Sequence, residues 1–323
     1  MAAFFHLHLL LSALSLVTAQ QLSANFYDKS CPGLPSLASS VVSSAVAKEP
    51  RMAASLLRLH FHDCFVNGCD ASLLLDDTSS ITSEKNALPN RRSVRGFEVI
   101  DDIKSKVEQQ CKGVVSCADI VSLAAREAVV LSGGPTWTVV YGRRDSTSAS
   151  MDTANQDLPS FLDNATRLVT RFKAKGLSAR DMVALSGGHT IGHAQCVFFR
   201  DRLYNFSGSG SSDPILQQHY VTELKQQCPS ATHDRSISAF DPTTPAGFDN
   251  IYFKLLQVNK GLFRSDQVLY STPGDTQDAV NAYSSSKAAF FKDFADAMVK
   301  MGNLSPLTGS KGQIRANCRL VNS

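Results

Sequence analysis

Arg58-Leu-His60-Phe-His62-Asp63-Cys64-Phe-Val-Asn67-Gly68-Cys69-Asp70-Ala-Ser72 is the densest run of reactive side chains in this 323-residue sequence. Its first part ends a helix: the segment from Arg51 to about His62 starts directly after Pro50 and sets Met52, Leu56 and Leu59 on one stripe. On that helix Arg58 and His62 are four residues apart, so a fixed cation and an imidazole share one face. Such a pair can polarise and deprotonate one small ligand, or it can simply close a helix-end ion cluster with Asp63. Cys64 and Cys69 are close enough in sequence to form a small ring over the turn Phe-Val-Asn-Gly.

Outward from this stretch the pattern stays helical. Residues 34–48 are periodic and stop at Glu49-Pro50, so two helices meet at a corner. Ser116-Cys-Ala-Asp119 is a capping-box-like start for a helix running to Leu131, closed by Gly133-Gly134-Pro135, and Ser178-Ala-Arg-Asp181 starts another. A late helix spans Ser286 to Met301, with Phe290, Phe294, Ala297, Met298 and Met301 apolar and Gly302 at its end. Strand-like runs are few, Trp137 to Tyr141 being the best of them. No repeat or low-complexity linker divides the chain, which predicts a mostly α fold in a single domain over residues 20–323.

Composition narrows the function. Lys and Arg total 32 against 29 Asp and Glu, a net charge of +3 without basic blocks, which argues against a nucleic-acid partner. Residues 1–19 hold no Lys, Arg, Asp or Glu, carry the apolar run Leu9–Leu16 and end in Val17-Thr18-Ala19, the pattern of a secretory signal cleaved after Ala19 or Gln20. No later apolar stretch suits a membrane span. Export makes all 8 cysteines candidate half-cystines, with about 105 possible connectivities. Acceptor sequons at Asn164, Asn205 and Asn303 agree with export, the last weakened by Pro306.

A second cluster is Leu185-Ser-Gly187-Gly188-His189-Thr190-Ile-Gly192-His193. Its glycines allow close backbone approach to something flat or bulky. His189 and His193 stand at zinc-ligand spacing, but the glutamate of H-E-x-x-H is missing and no third ligand is indicated.

Together, F-H-D-C-F-V-N-G-C-D-A-S (61–72) and L-S-G-G-H-T-I-G (185–192) resemble the distal and proximal signatures of the secreted plant haem peroxidases, the class III or horseradish-type enzymes. The resemblance extends through Asn25–Pro32, Val115–Asp119, Gly142–Asp145, Phe248–Asn250, Gly261–Asp266 and Gly312–Cys318. It implies a two-lobed helical fold with haem b (protohaem IX) between the lobes, two Ca2+ ions, and disulfides Cys31–Cys111, Cys64–Cys69, Cys117–Cys318 and Cys196–Cys228. It further implies a monomer in the cell wall or apoplast, reducing hydrogen peroxide through a ferryl porphyrin radical and oxidising phenolic or aromatic donors in two one-electron steps.

Carried over by residue, the resemblance makes His189 the iron ligand, Asp266 the acceptor of its other ring proton and Phe240 the ring packed against it. His62 becomes the acid–base group, Arg58 the charge stabiliser, Asn90 the holder of His62 and Glu84 an extension of that network, while Phe61 closes the haem edge. Asp63, Asp70 and Ser72 with the carbonyls of Val66 and Gly68 match a distal calcium site, and Thr190, Asp241, Thr244, Gly247 and Asp249 a proximal one. Oxygen ligands suit calcium, although neither spacing is an EF-hand. Pro159 would contact the donor. Near it the pattern departs from the family: the second proline of L-P-x-P is absent, the loop Ser160-Phe161-Leu162 is one residue short, and Leu88-Pro89 replaces a more aromatic or glycine-containing stretch. Two other readings compete: a metal-dependent hydrolase using His60, His62, His189 and His193, which lacks an acidic base, and a calcium-stabilised binding protein, which would be expected to have lost Arg58, His62, His189 or Asp266.

Overall fold

The structure, a computed structural model, describes residues 22–323; the expected signal segment lies outside these residues. Helices dominate: α1 (Leu34–Lys48), α2 (Met52–Phe65), α3 (Phe97–Gln110), α4 (Cys117–Leu131), α5 (Met151–Asp157), α6 (Ala165–Ala174), α7 (Ala179–Ser186), α8 (Arg200–Tyr204), α9 (Gln218–Gln227), α10 (Ile251–Gln257), α11 (Arg264–Ser271), α12 (Asp275–Ser285) and α13 (Lys287–Gly302). One antiparallel pair, β1 (His193–Gln195) with β2 (Ile237–Ala239), is the only sheet among the described residues.

Local chemistry sets several boundaries. The Ser116 hydroxyl accepts from Asp119 N at 3.1 Å to start α4, Ser178 and Asp181 form a reciprocal capping box at α7, and the Ser286 hydroxyl caps α13 through Ala289 N. Helix α2 runs three residues beyond His62, because nothing interrupts it before Asn67 and Gly68 take left-handed backbone at φ 65° and 116°. Residues 137–141 form no strand: Tyr141 makes one isolated bridge to Ser23, and the rest of the segment finds no ladder partner. Strand-like composition there reflects packing, with Trp137 edge-on to Phe294.

Helix α2 packs on α4, α1 on α3 and α4, and α7 on α12 and α13. Their shared core holds Phe248, Phe253, Tyr283, Phe290 and Phe294, all fully buried and in mutual ring contact. A smaller core around α8 and α9 gathers Phe199, Leu203, Tyr220, Leu224 and Phe240. Disulfides join Cys31 to Cys111, Cys64 to Cys69, Cys117 to Cys318 and Cys196 to Cys228, the four pairs the resemblance implies. No helix of the described residues is long and apolar enough to cross a membrane.

Candidate active site

One face of α2 is left half-buried at Ala54, Ser55, Arg58 and Phe61, while its opposite face is packed in the core. Near it stands the short 3₁₀ turn Gly187–Thr190 that follows α7. Glycine is needed here for packing: a Cβ on Gly187 would strike the Phe290 ring, and one on Gly192 would sit 2.8 Å from the Ala54 Cβ. The close approach read from these glycines is therefore to Phe290 and to α2 itself.

On α2 the Arg58 Nε donates to His62 Nε2 at 3.1 Å, and His62 Nδ1 lies 2.5 Å from Asn90 Oδ1. Since Nε2 accepts from arginine, the ring proton resides on Nδ1 and is donated to the amide oxygen. Asn90 is fixed in turn, its Nδ2 donating to the Glu84 carbonyl at 2.8 Å. Glu84 thus reaches the histidine through its backbone, and its carboxylate instead accepts from Ser150 N. Burial, then the adjacent Arg58 charge, hold the His62 imidazole well below its usual range, while the Asn90 contact acts in the opposite sense. The result is a neutral ring whose single lone pair, on Nε2, is held by Arg58 until a protonated ligand replaces that bond. Burial also lowers Arg58, to about 10, which leaves it a cation at neutral pH.

Two partners in this group carry no local sequence signal. Arg58 Nη2 donates to the Pro89 carbonyl at 2.7 Å and to Ser93 Oγ at 3.0 Å, so the guanidinium is held from 31 and 35 residues away. Phe61 packs on Phe65 and Phe172 and stands edge-on to His62. Pro159 is half-buried, beside Phe161 whose ring meets Phe198 and Phe263.

On the other side His189 Nδ1 bonds Asp266 Oδ1 at 2.8 Å, and its ring stacks on Phe240 at 3.9 Å and 7°. Asp266 is buried at the start of α11, where Oδ2 accepts from Phe263 N at 2.9 Å and Oδ1 also accepts from the Tyr252 hydroxyl at 2.9 Å. Tyr252 is a functional neighbour that sequence reasoning misses, since it comes from α10. With Nδ1 taken and one ring face covered, the His189 side chain still keeps 39% exposure, so its Nε2 edge is free to bind. A half-buried histidine backed by a carboxylate, near the open stripe of α2, fits a residue that would hold a haem iron.

The oxygen clusters also assemble. Asp63 Oδ2 accepts from Ala71 N and Asp70 Oδ1 from Ser72 N, leaving Asp63 Oδ1 and Ser72 Oγ buried without a partner. Val66 and Gly68 lie on the connecting turn, Gly68 so tightly against residues 304–305 that a Cβ would clash with both carbonyls. In the other cluster the Thr244 hydroxyl lies 3.0 Å from Asp241 Oδ2 and 2.9 Å from Asp249 Oδ2, and Thr190 Oγ1 is 3.3 Å from Asp249 Oδ1; Gly247 closes the turn onto the Thr244 carbonyl. No group of three or more His, Cys, Asp or Glu side chains poised for a metal occurs among the described residues. Each cluster has two carboxylates, and needs hydroxyl and carbonyl oxygens to complete a shell; the orphaned buried oxygens of the first fit a hard cation.

The four histidines of the hydrolase reading do not converge. His60 is buried against Cys64 Sγ, with the Arg143 charge nearby. His193 stands on β1, beyond the 3₁₀ turn that carries His189, so the two do not share a helical face.

Residues 38–286 match the family model described as Peroxidase. The chain is 52% identical to Peroxidase 49 of Arabidopsis thaliana over 94% of its length and 92% of that relative. It is 52% identical to Peroxidase C2 of Armoracia rusticana (98% and 91% covered) and 51% identical to Peroxidase 15 of Ipomoea batatas (94% and 93%).

Proposed function

The chain belongs to the peroxidase family, within it to the plant class III enzymes that reduce hydrogen peroxide and oxidise a donor, and we propose that His62, Arg58 and His189 divide that work between two faces of a bound haem. His189 would hold the iron through Nε2, and the haem would supply the metal at which the peroxide O–O bond is cleaved and which then takes electrons from phenolic donors. Asp266 accepts the Nδ1 proton and makes the imidazole a stronger electron donor. Tyr252 and the Phe263 amide keep that carboxylate in place.

His62 takes the peroxide proton on Nε2 and returns it to the departing oxygen, so no proton is gained or lost over the step. Its low basicity keeps Nε2 unprotonated beforehand, and the Nδ1–H bond to Asn90 fixes the ring while the proton is carried. Arg58 presents a permanent positive charge to the oxygen that becomes negative. The observation that carries this reading is the chain Arg58 Nε to His62 Nε2 and His62 Nδ1 to Asn90 Oδ1.

The orphaned oxygens of Asp63 and Ser72, with Asp70 and the Val66 and Gly68 carbonyls, support one calcium site, and Thr190, Asp241, Thr244, Gly247 and Asp249 a second. The N-terminal signal pattern and four disulfides support secretion of a single-domain protein into the oxidising cell wall space. Titrating the protein with haem tests the whole reading: a Soret band saturating at one haem per chain is expected, followed by peroxide-dependent oxidation of a simple phenol. Absence of a stoichiometric band would contradict it.

A further inference from the structure

We propose that Arg91 and Arg92 form a cationic rim that selects aromatic donors bearing a carboxylate; this rests on the peroxidase reading above and specifies the donor class of the same site. The two residues interrupt a loop whose other members are tied to the reactive pair. Asn90 holds His62, while Pro89 and Ser93 hold Arg58. Turn bonds from Arg91 N to the Ala87 carbonyl and Val94 N to the Asn90 carbonyl stiffen the segment. Arg92 adopts left-handed backbone, φ 60°, and its carbonyl accepts from Gln195 Nε2 at 3.2 Å, fastening the loop to β1. Left-handed backbone is uncommon for a residue with a long side chain, and here it comes with both arginine side chains turned out to solvent.

Their charges are also unspent. Arg51 and Arg95 both engage Glu49, whereas among the described residues no carboxylate lies within 4.0 Å of Arg91 or Arg92. Beside them Leu88 is 68% exposed, on backbone fixed by Asn155 Oδ1 at 2.8 Å. An exposed apolar side chain three and four residues before two exposed guanidinium groups, on the loop that carries Asn90, suits a flat molecule with a ring at one end and a carboxylate at the other. Guanidinium binds carboxylate in a planar, bidentate way. An acidic polysaccharide would use the charges but leave Leu88 without purpose.

The test compares 4-hydroxycinnamate with its methyl ester as donors for the haem-loaded enzyme at low ionic strength. In the Arg91→Gln/Arg92→Gln variant kcat/KM for the acid is expected to fall about threefold to tenfold, as two partly screened surface charges allow, with the ester unchanged. Arg91→Lys/Arg92→Lys should restore most of the loss, and high salt should erase the difference between acid and ester in the parent. The rate of reaction with peroxide before donor is added should be the same in all three proteins. Equal losses for acid and ester, no loss for either, or loss of polygalacturonate binding without any change in donor discrimination would overturn the proposal. Failure of the unsubstituted enzyme to oxidise even the ester would overturn the peroxidase reading itself, which separates the two failures.

Discussion

Asn90 decides which nitrogen of His62 can accept a proton, and it does so from outside the motif that announces the histidine. The Arg58–His62 pair was legible because helical spacing alone puts four-apart side chains on one face. Ser93 and Tyr252 were not, because their partners lie 35 and 14 residues away and only tertiary packing brings them together. The same motif contains a histidine of another kind. His60 is buried with no carboxylate against it, and burial followed by the Arg143 charge pushes it down to about 3. An unfolded chain takes up this proton near pH 6.5 and the folded chain only near 3, so His60 costs stability progressively as pH falls through that window. The slope is at most about 1.4 kcal/mol per pH unit. Melting temperatures measured from pH 7 to 4 should therefore fall less steeply for His60→Gln than for the parent; parallel curves would show that His60 finds a partner for its charge.

Among the elements, α1, α4, α7 and α13 were readable from proline, serine caps and 3.6-residue periodicity, signals that act within one turn. The β1–β2 pair was not, since three-residue strands carry no period and their register depends on which loop meets which. The mistaken strand at 137–141 shows the converse: β-branched and aromatic residues make a strand only where a partner ladder exists. What locks the elements together is ionic as well as apolar. Asp119, fully buried on α4, receives Arg143 Nη1 at 2.8 Å, Tyr27 Oη at 2.8 Å and Gly142 N at 2.7 Å, while Arg143 also caps the α13 end through the Gly302 carbonyl. Arg143→Leu strands a buried carboxylate and the last turn of α13 at once. It should lower unfolding free energy by about 3–5 kcal/mol, measured by urea denaturation, and Asp119→Asn in the same chain should recover part of the loss. A lone Arg143→Leu within 1 kcal/mol of the parent, against the roughly 3 or more expected, would mean that Asp119 is satisfied without it.

Across the whole molecule, α2 and the 3₁₀ turn that carries His189 pack together, and each proposed calcium cluster adjoins one of the two histidines: Asp63 follows His62 and Thr190 follows His189 directly in the chain. Chelation should therefore lower the melting temperature and the rate of donor oxidation together. Unchanged melting and rate, with bound calcium shown by elemental analysis to have been removed, would dissociate the clusters from the site. The sequence could name both clusters only through the order of motifs shared with a family, because neither has a local metal-binding spacing. Stopped-flow mixing with peroxide, on variants whose resting spectra are recorded first, separates the roles of the two histidines. His62→Ala should keep the parent resting spectrum yet slow the first spectral change after peroxide by about 10²–10⁴, whereas His189→Ala should alter the resting spectrum before any peroxide is added. A His62→Ala protein that reacts at the parent rate, or a His189→Ala protein with the parent spectrum, would rule out this division of roles.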